Sequence, residues 1–136
     1  MADLDLNKQQ KLAVCSDERN IVVAASAGTG KTTVLVDRVM KKVLEGKADL
    51  DSLLILTFTK AAAQNMKDRL EAALRKRERT EEDADERKRL LQQIDKLQTA
   101  DISTIDSYIN KLVRKYSYRL DIDPEYQILS SDIARN

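Results

Sequence analysis

The stretch VVAASAGTGKTTVLVDRV, residues 22–39, decides how the rest of the chain is read. An apolar run enters a knot of alanine, serine, glycine and threonine. One lysine follows, then two threonines, then an amphipathic pattern. The chain has only three glycines in 136 residues, and two of them, Gly28 and Gly30, flank Thr29 just ahead of Lys31. Upstream, NIVVAA (20–25) is a continuous apolar run with three β-branched residues. That pattern predicts a strand buried on both faces, as in a parallel sheet. Downstream, Lys31 to Glu45 reads as a helix with Leu35, Val36, Val39, Met40, Val43 and Leu44 on one stripe and Gly46 at the C′ position.

Strand, small-residue turn, Gly-Lys-Thr and helix together form the setting of a phosphate-binding loop. Backbone N–H groups must close around a phosphate, so larger side chains would obstruct them. Gly28 and Gly30 permit φ values closed to most residues, and the helix N-terminus adds its positive end. Lys31 would reach the β- and γ-phosphates, and the Thr32 hydroxyl would ligate Mg²⁺. Ser26, Ala27, Gly28, Thr29, Gly30, Lys31, Thr32 and Thr33 are therefore the candidate nucleotide-binding residues. Ala25 stands where the usual motif GxxxxGK[ST] has its first glycine.

Working outward, KQQKLAVCS (8–16) reads as a short helix with Asn7 as N-cap. SLLILTF (52–58) is a second buried-strand pattern. Thr59 caps a helix from Lys60 to about Arg75, with Ala62, Ala63, Met66, Leu70 and Ala73 inward. Strand, helix, strand, helix predicts right-handed βαβ units around a parallel sheet. From Arg75 to Arg89 every residue except Thr80 and Ala84 is charged. No core can be built from that run. It is a solvated helix, a helical hairpin tip or a disordered insertion. Its charges are nearly balanced, which favours a solvated face over a basic DNA arm. Periodicity returns with Leu90, Ile94 and Leu97. ADIST (100–104) suits a brief strand. Ile105, Ile109, Leu112, Val113 and Tyr116 mark another helix, and YQIL (126–129) is a candidate last strand. Cys15 reads as a small buried side chain, and Tyr108, Tyr116 and Tyr118 as packing residues.

ASAGTGKT (25–32) resembles the first ATP-binding motif of superfamily 1 DNA helicases of the UvrD/Rep type, in which alanine often replaces the first glycine. LNKQQKLAV resembles their N-terminal glutamine motif, with Leu6, Asn7, Gln10 and Ala13 in place. LTFTKAAAQNM (56–66) is similar to motif Ia, with Lys60 where asparagine is usual. TIDSY (104–108) is similar to motif Ib, with Asp106 where many relatives have histidine. LDIDPEYQIL (120–129) resembles the segment that follows. The charged insertion and the ADIST lead-in are most similar to the AddA/RexA and RecB nuclease-helicase subunits.

The resemblance implies an α/β, RecA-like P-loop domain, incomplete here, with a charged helical insertion over about residues 75–98. It implies ATP and Mg²⁺ as cofactors, single- and double-stranded DNA as partners, and a second helicase-nuclease subunit of the AddB/RexB kind. It implies translocation on single-stranded DNA and duplex unwinding in double-strand-break repair. Gln10, twenty-one positions ahead of Lys31, would pair its amide with adenine; equally, Asn7-x-x-Gln10 is a capping box. Thr57, Phe58, Thr59 and Lys60 would contact DNA at the end of a parallel strand, where ligands bind in open α/β sheets. Phe58 would offer a stacking face. Asp106 is either a helix N-terminal carboxylate, or DNA contact has moved to Ser107 and its neighbours.

Composition bounds the alternatives. A net charge of +1 predicts no particular partner, so any nucleic-acid site must be local. One cysteine and no histidine exclude a disulfide framework and weigh heavily against a zinc site or a histidine-based triad. No signal core and no long apolar run are present, which suggests a cytoplasmic protein without a membrane partner. No strand ending in Asp-Glu follows the phosphate loop, as the second ATP motif requires. The chain is thus expected to be the N-terminal part of a longer protein and not to turn over ATP alone. Two rivals stand beside this reading: a small P-loop kinase or GTPase, and a helical interaction module with a degenerate nucleotide site.

Overall fold

The computed structural model describes residues 6–26, 28, 30–123 and 125–126. In chain order these form helix α1 (Lys8–Cys15), helix α2 (Lys31–Leu44), a 3₁₀ turn at Leu50–Ser52, strand β1 (Leu54–Thr57), helix α3 (Lys60–Thr80), helix α4 (Ala84–Thr99), strand β2 (Asp101–Thr104), helix α5 (Ile105–Lys115) and the short helix α6 (Ser117–Leu120). The two strands pair in parallel, Leu54 opposite Asp101 through Thr57 opposite Thr104. The α3–α4 hairpin is the crossover between them. The fold is therefore α/β with a small parallel sheet.

Local chemistry sets the helix boundaries. Asn7 caps α1 through the full capping box, with Asn7 Oδ1 accepting from Gln10 N at 2.9 Å and Gln10 Oε1 accepting from Asn7 N at 2.8 Å. Thr59, Asp83 and Thr104 each accept a first-turn N–H at the start of α3, α4 and α5. Helix α2 ends in a Schellman motif. Gly46 adopts φ 68°, its N–H donates to Val43 O at 3.1 Å, and Lys47 N–H donates to Lys42 O at 2.9 Å.

The core lies where α2, α3 and α4 cover one face of the sheet. Val36, Val39, Met40 and Val43 of α2 meet Met66, Leu70 and Leu74 of α3 and Leu90, Ile94 and Leu97 of α4, with Ile55 and Ile102 from the strands. Buried Gln93 fixes the 3₁₀ turn to α4. Its Oε1 accepts from Leu50 N at 3.1 Å and its Nε2 donates to Asp49 Oδ1 at 2.6 Å.

Several expectations are corrected. Residues 20–25 form no strand, and Val22 is 96% exposed. A strand exists through inter-strand hydrogen bonds, and the one ladder among the described residues joins β1 to β2. The strand expected over 52–58 covers only Leu54–Thr57, and its Leu54 and Leu56 are exposed on the face away from α3 and α4. Helix α3 runs on to Thr80, so the charged segment is a helical hairpin tip. Ion pairs Arg75–Glu71, Arg77–Glu81 and Arg87–Glu78 lace it. On α3 Leu74 is in the core and Ala62 is not, because 63, 66, 70 and 74 keep helical register. On α2 Val34 is buried and Leu35 exposed. Cys15 is exposed, as it lies on the outer side of a helix that buries only Val14. Tyr116 and Tyr118 are exposed, with the Arg119 guanidinium over both rings. The candidate strand at YQIL falls outside the described residues apart from Tyr126, which is not in a strand.

Candidate functional site

The candidate phosphate loop is built from the start of α2 backwards. Gly28 and Gly30 both adopt left-handed backbone, φ 77° and 81°, the region an L side chain occupies only at a cost. Gly30 is also the N-cap of α2, and no side chain caps that end. The first-turn N–H groups of α2 are thus without a side-chain acceptor from the cap, at the positive end of a fourteen-residue helix. Lys31 folds back over the loop, and its Nζ donates to Ala25 O at 2.6 Å and Ser26 O at 2.9 Å. Thr32 is exposed in the first turn and Thr33 half-buried beside it. Ala27 and Thr29 lie outside the described residues.

This donor set fits a magnesium-bound polyphosphate. A Cβ added at Gly28 would meet nothing within 4 Å, so the need for glycine there is conformational. Lys31 is held by two carbonyls on a lip of the loop, where a phosphate would compete for the same ammonium. No group of three acidic, histidine or cysteine residues able to hold a metal occurs among the described residues. A cation here would bind by the Thr32 hydroxyl and by phosphate oxygens, the way Mg²⁺ is usually carried.

Helix α1 brings Gln10 to this loop. A Cβ built on Gly30 would lie 3.3 Å from Gln10 Nε2, so the amide rests against the turn that opens α2. The capping and base-reading roles are compatible. Gln10 Oε1 accepts the Asn7 N–H, and an amide oxygen has two lone pairs. Arg38, which carries no motif in the sequence, ties the two helices together. Its Nη1 donates to Ala13 O at 2.7 Å and Ser16 O at 2.8 Å at the end of α1. Beyond α1, Asp17 pairs with Lys47 at 2.9 Å, and that ammonium holds the carboxyl below its ordinary range.

A second candidate surface lies at the C-terminal ends of the strands. A groove of about 180 Å³ runs between α3 and β2, lined by Lys60, Gln64 and Lys67 on one side and Ser103, Thr104 and Ser107 on the other. Lys60 and Ser107 come together here, forty-seven positions apart in sequence. Thr57, Phe58 and Thr59 do not line it. Thr57 donates to Thr59 O at 3.0 Å, Thr59 caps α3, and Phe58 stands 94% exposed beside them. Thr104 Oγ1 donates to Ser107 Oγ at 2.8 Å and accepts from Ser107 N at 3.2 Å. Asp106 sits exposed in the first turn of α5 and does not line the groove. Gln64 and Lys67 were missed from sequence. Lys67 is seven residues after Lys60, two turns along one helix face.

Comparison with known proteins gives consistent matches. Residues 6–135 match the UvrD/REP helicase N-terminal domain family. A protein of Pediococcus pentosaceus described as an ATP-dependent helicase/nuclease subunit is 43% identical over 129 residues, 95% of this chain and 10% of that protein. Proteins of the same description from Enterococcus faecalis and Ligilactobacillus salivarius are 44% and 43% identical over 131 and 123 residues, covering 96% and 90% of this chain and 10% of each. The chain thus spans about a tenth of the length of the curated relatives it matches.

Proposed function

This chain belongs to the UvrD/REP helicase N-terminal domain family, and on that premise we propose that it is the MgATP-binding portion of an ATP-dependent DNA helicase/nuclease subunit. The proposed subunit translocates on single-stranded DNA and unwinds duplex in double-strand-break repair, in the cytoplasm, together with a second helicase-nuclease subunit. The observation that carries the reading is the phosphate loop: two left-handed glycines, an uncapped helix N-terminus, and Lys31 folded onto Ala25 O and Ser26 O. Lys31 would exchange those carbonyls for β- and γ-phosphate oxygens, and Thr32 would hold Mg²⁺. The metal would neutralise charge on the phosphates. Ser26, Gly28 and Gly30 would keep backbone close to them, Ala27, Thr29 and Thr33 are proposed as further nucleotide-binding residues, and Gln10 would face adenine.

The groove between α3 and β2 supports a path for the DNA backbone, with Lys60 and Lys67 placed to meet phosphates and Ser107 to donate a hydrogen bond. Phe58 would stack a base. Asp106 then acts as a helix N-terminal carboxylate, clear of the DNA. A RecA-like sheet further requires residues 20–25 to pair with strands other than β1 and β2. The chain by itself is proposed to bind MgATP weakly and not to turn it over. Phosphoryl transfer also needs a residue that orients the attacking water and an arginine that meets developing charge, and no residue described here takes either role.

The test is phosphate release by the full-length protein with and without single-stranded DNA. DNA-stimulated release from ATP but not GTP, abolished in Lys31→Ala, is expected. Preference for GTP would favour a GTPase, and absence of nucleotide binding would favour an interaction module.

A further inference from the structure

Helix α1 carries the candidate base-reading residue, yet it buries a single side chain, Val14. One valine cannot fix the orientation of an eight-residue helix, which is about 12 Å long. Arg38 supplies the missing constraint. Its Nη1 donates at 2.7 Å to Ala13 O and at 2.8 Å to Ser16 O, with Val14 O at 3.5 Å. These carbonyls end α1, where a helix leaves acceptors without partners and presents its negative pole. The guanidinium therefore caps α1 from another helix. Arg38 stands seven residues after Lys31, two turns along the same side of α2. Helix α1 thus meets the phosphate-loop unit at both ends: Gln10 against Gly30, and the last carbonyls on Arg38. The Asp17–Lys47 pair lies beyond the helix, with side chains 69% and 44% exposed, and holds it only weakly.

We propose that Arg38 is a positioning residue for nucleotide selection: by capping α1 it sets the angle at which the Gln10 amide meets the base, without touching the nucleotide. The proposal rests on the adenine-reading role of Gln10 given above. It separates two properties of one site. Phosphate affinity resides in Lys31 and the loop backbone, and base preference depends on a contact at the far end of α1.

The experiment uses the full-length protein and calorimetric titration with MgATP, MgGTP and magnesium tripolyphosphate, the last a probe that has no base. Arg38→Met keeps the aliphatic stem and removes the donors. A well-placed amide–base pair discriminates by about 5-fold to 150-fold, so the ATP-to-GTP affinity ratio should fall by a factor in that range. Tripolyphosphate affinity should stay unchanged. Arg38→Lys keeps a charge and donors, so part of the ratio should return. In a Gln10→Ala background Arg38→Met should lower the ratio no further. An unchanged ratio in Arg38→Met overturns the proposal. So does an equal loss for ATP and tripolyphosphate, which would make Arg38 a support for the loop itself. Should Arg38→Met fail to give native circular dichroism, Arg38→Leu, which also removes the donors, carries the same comparison, and an unchanged ratio there overturns it. A wild-type protein that binds tripolyphosphate but does not prefer ATP would instead remove the Gln10 reading, and this proposal with it.

Discussion

Val22 and Leu70 both belong to apolar patterns that sequence alone assigns to a core, yet Val22 is 96% exposed and Leu70 is fully buried. The difference separates two regions. From β1 to β2, apolar residues on α3 and α4 close over a sheet with two partners in hand, and α2 packs onto them. From α1 to the loop, apolar residues 21–23 have no ladder among the described elements and stay partly to almost fully exposed. The first region buries the core, and the second holds the candidate nucleotide-binding residues. Helices and caps form from neighbours in sequence, so both regions have them. A strand needs a distant partner, so only one region has strands.

The sharpest way to break this contrast is to mutate both regions alike. Leu70→Ala should cost about 2–5 kcal/mol through lost burial and the cavity left behind, measured by urea unfolding. In the 136-residue chain by itself, Val22→Ser should change stability by no more than about 0.5 kcal/mol, as exposed sites do. Equal losses would mean that residues 20–25 contribute to the core after all. Next in size is Gln93→Leu, which leaves the Leu50 N–H without its acceptor. A buried donor so orphaned costs about 1–3 kcal/mol, read by the same unfolding curves.

Glycine substitutions sharpen the loop side. Gly28→Ala and Gly30→Ala each place an L side chain at left-handed φ, at about 1–2 kcal/mol. Gly30→Ala should be the more damaging for nucleotide binding, because its Cβ would press on Gln10 Nε2 at 3.3 Å while that of Gly28 meets nothing. Calorimetric ATP affinities of the two variants decide this.

The smallest effect is electrostatic. The Lys96 ammonium, and next the Gln93 amide, hold the Asp49 carboxyl below its ordinary range. A depressed carboxyl pKa stabilises the fold above its unfolded value, about 3.9, and that contribution is lost as pH falls through the folded value. Asp49→Asn should therefore flatten the acid limb of a stability–pH profile and leave its shape above pH ~5 unchanged. The pair is solvent-exposed, so the change is slight.

What the sequence disclosed follows the same division. The Asn7, Thr59 and Gly46 caps, the left-handed glycines and the inward faces of α3 and α4 were legible, because each depends on residues within a turn or two. The absence of a strand at 20–25 and the short extent of β1 were not, since strand pairing depends on contacts far along the chain, and for 75–89 the sequence left the helical hairpin tip as one of three readings. Arg89 shows the limit well. Within a run of charges it reads as solvated, yet its guanidinium donates to Val43 O at 3.0 Å and Leu44 O at 2.7 Å, closing the end of α2. Arg38 does the same for α1. A cation that caps another helix leaves no periodic trace in its own. The groove was half legible: motif resemblance pointed to Lys60 and Ser107, whereas Gln64 and Lys67 became visible only once α3 lay beside β2.

The central claim is that Lys31 binds the β- and γ-phosphates from a preformed loop. Its most direct test is calorimetric titration of MgATP into the full-length protein and its Lys31→Ala variant, with circular dichroism of both. Lys31 is exposed, and among the described residues its ammonium donates to two loop carbonyls, so the account predicts a native spectrum and no measurable triphosphate binding in the variant. Undiminished ATP affinity in a natively folded Lys31→Ala protein would contradict it.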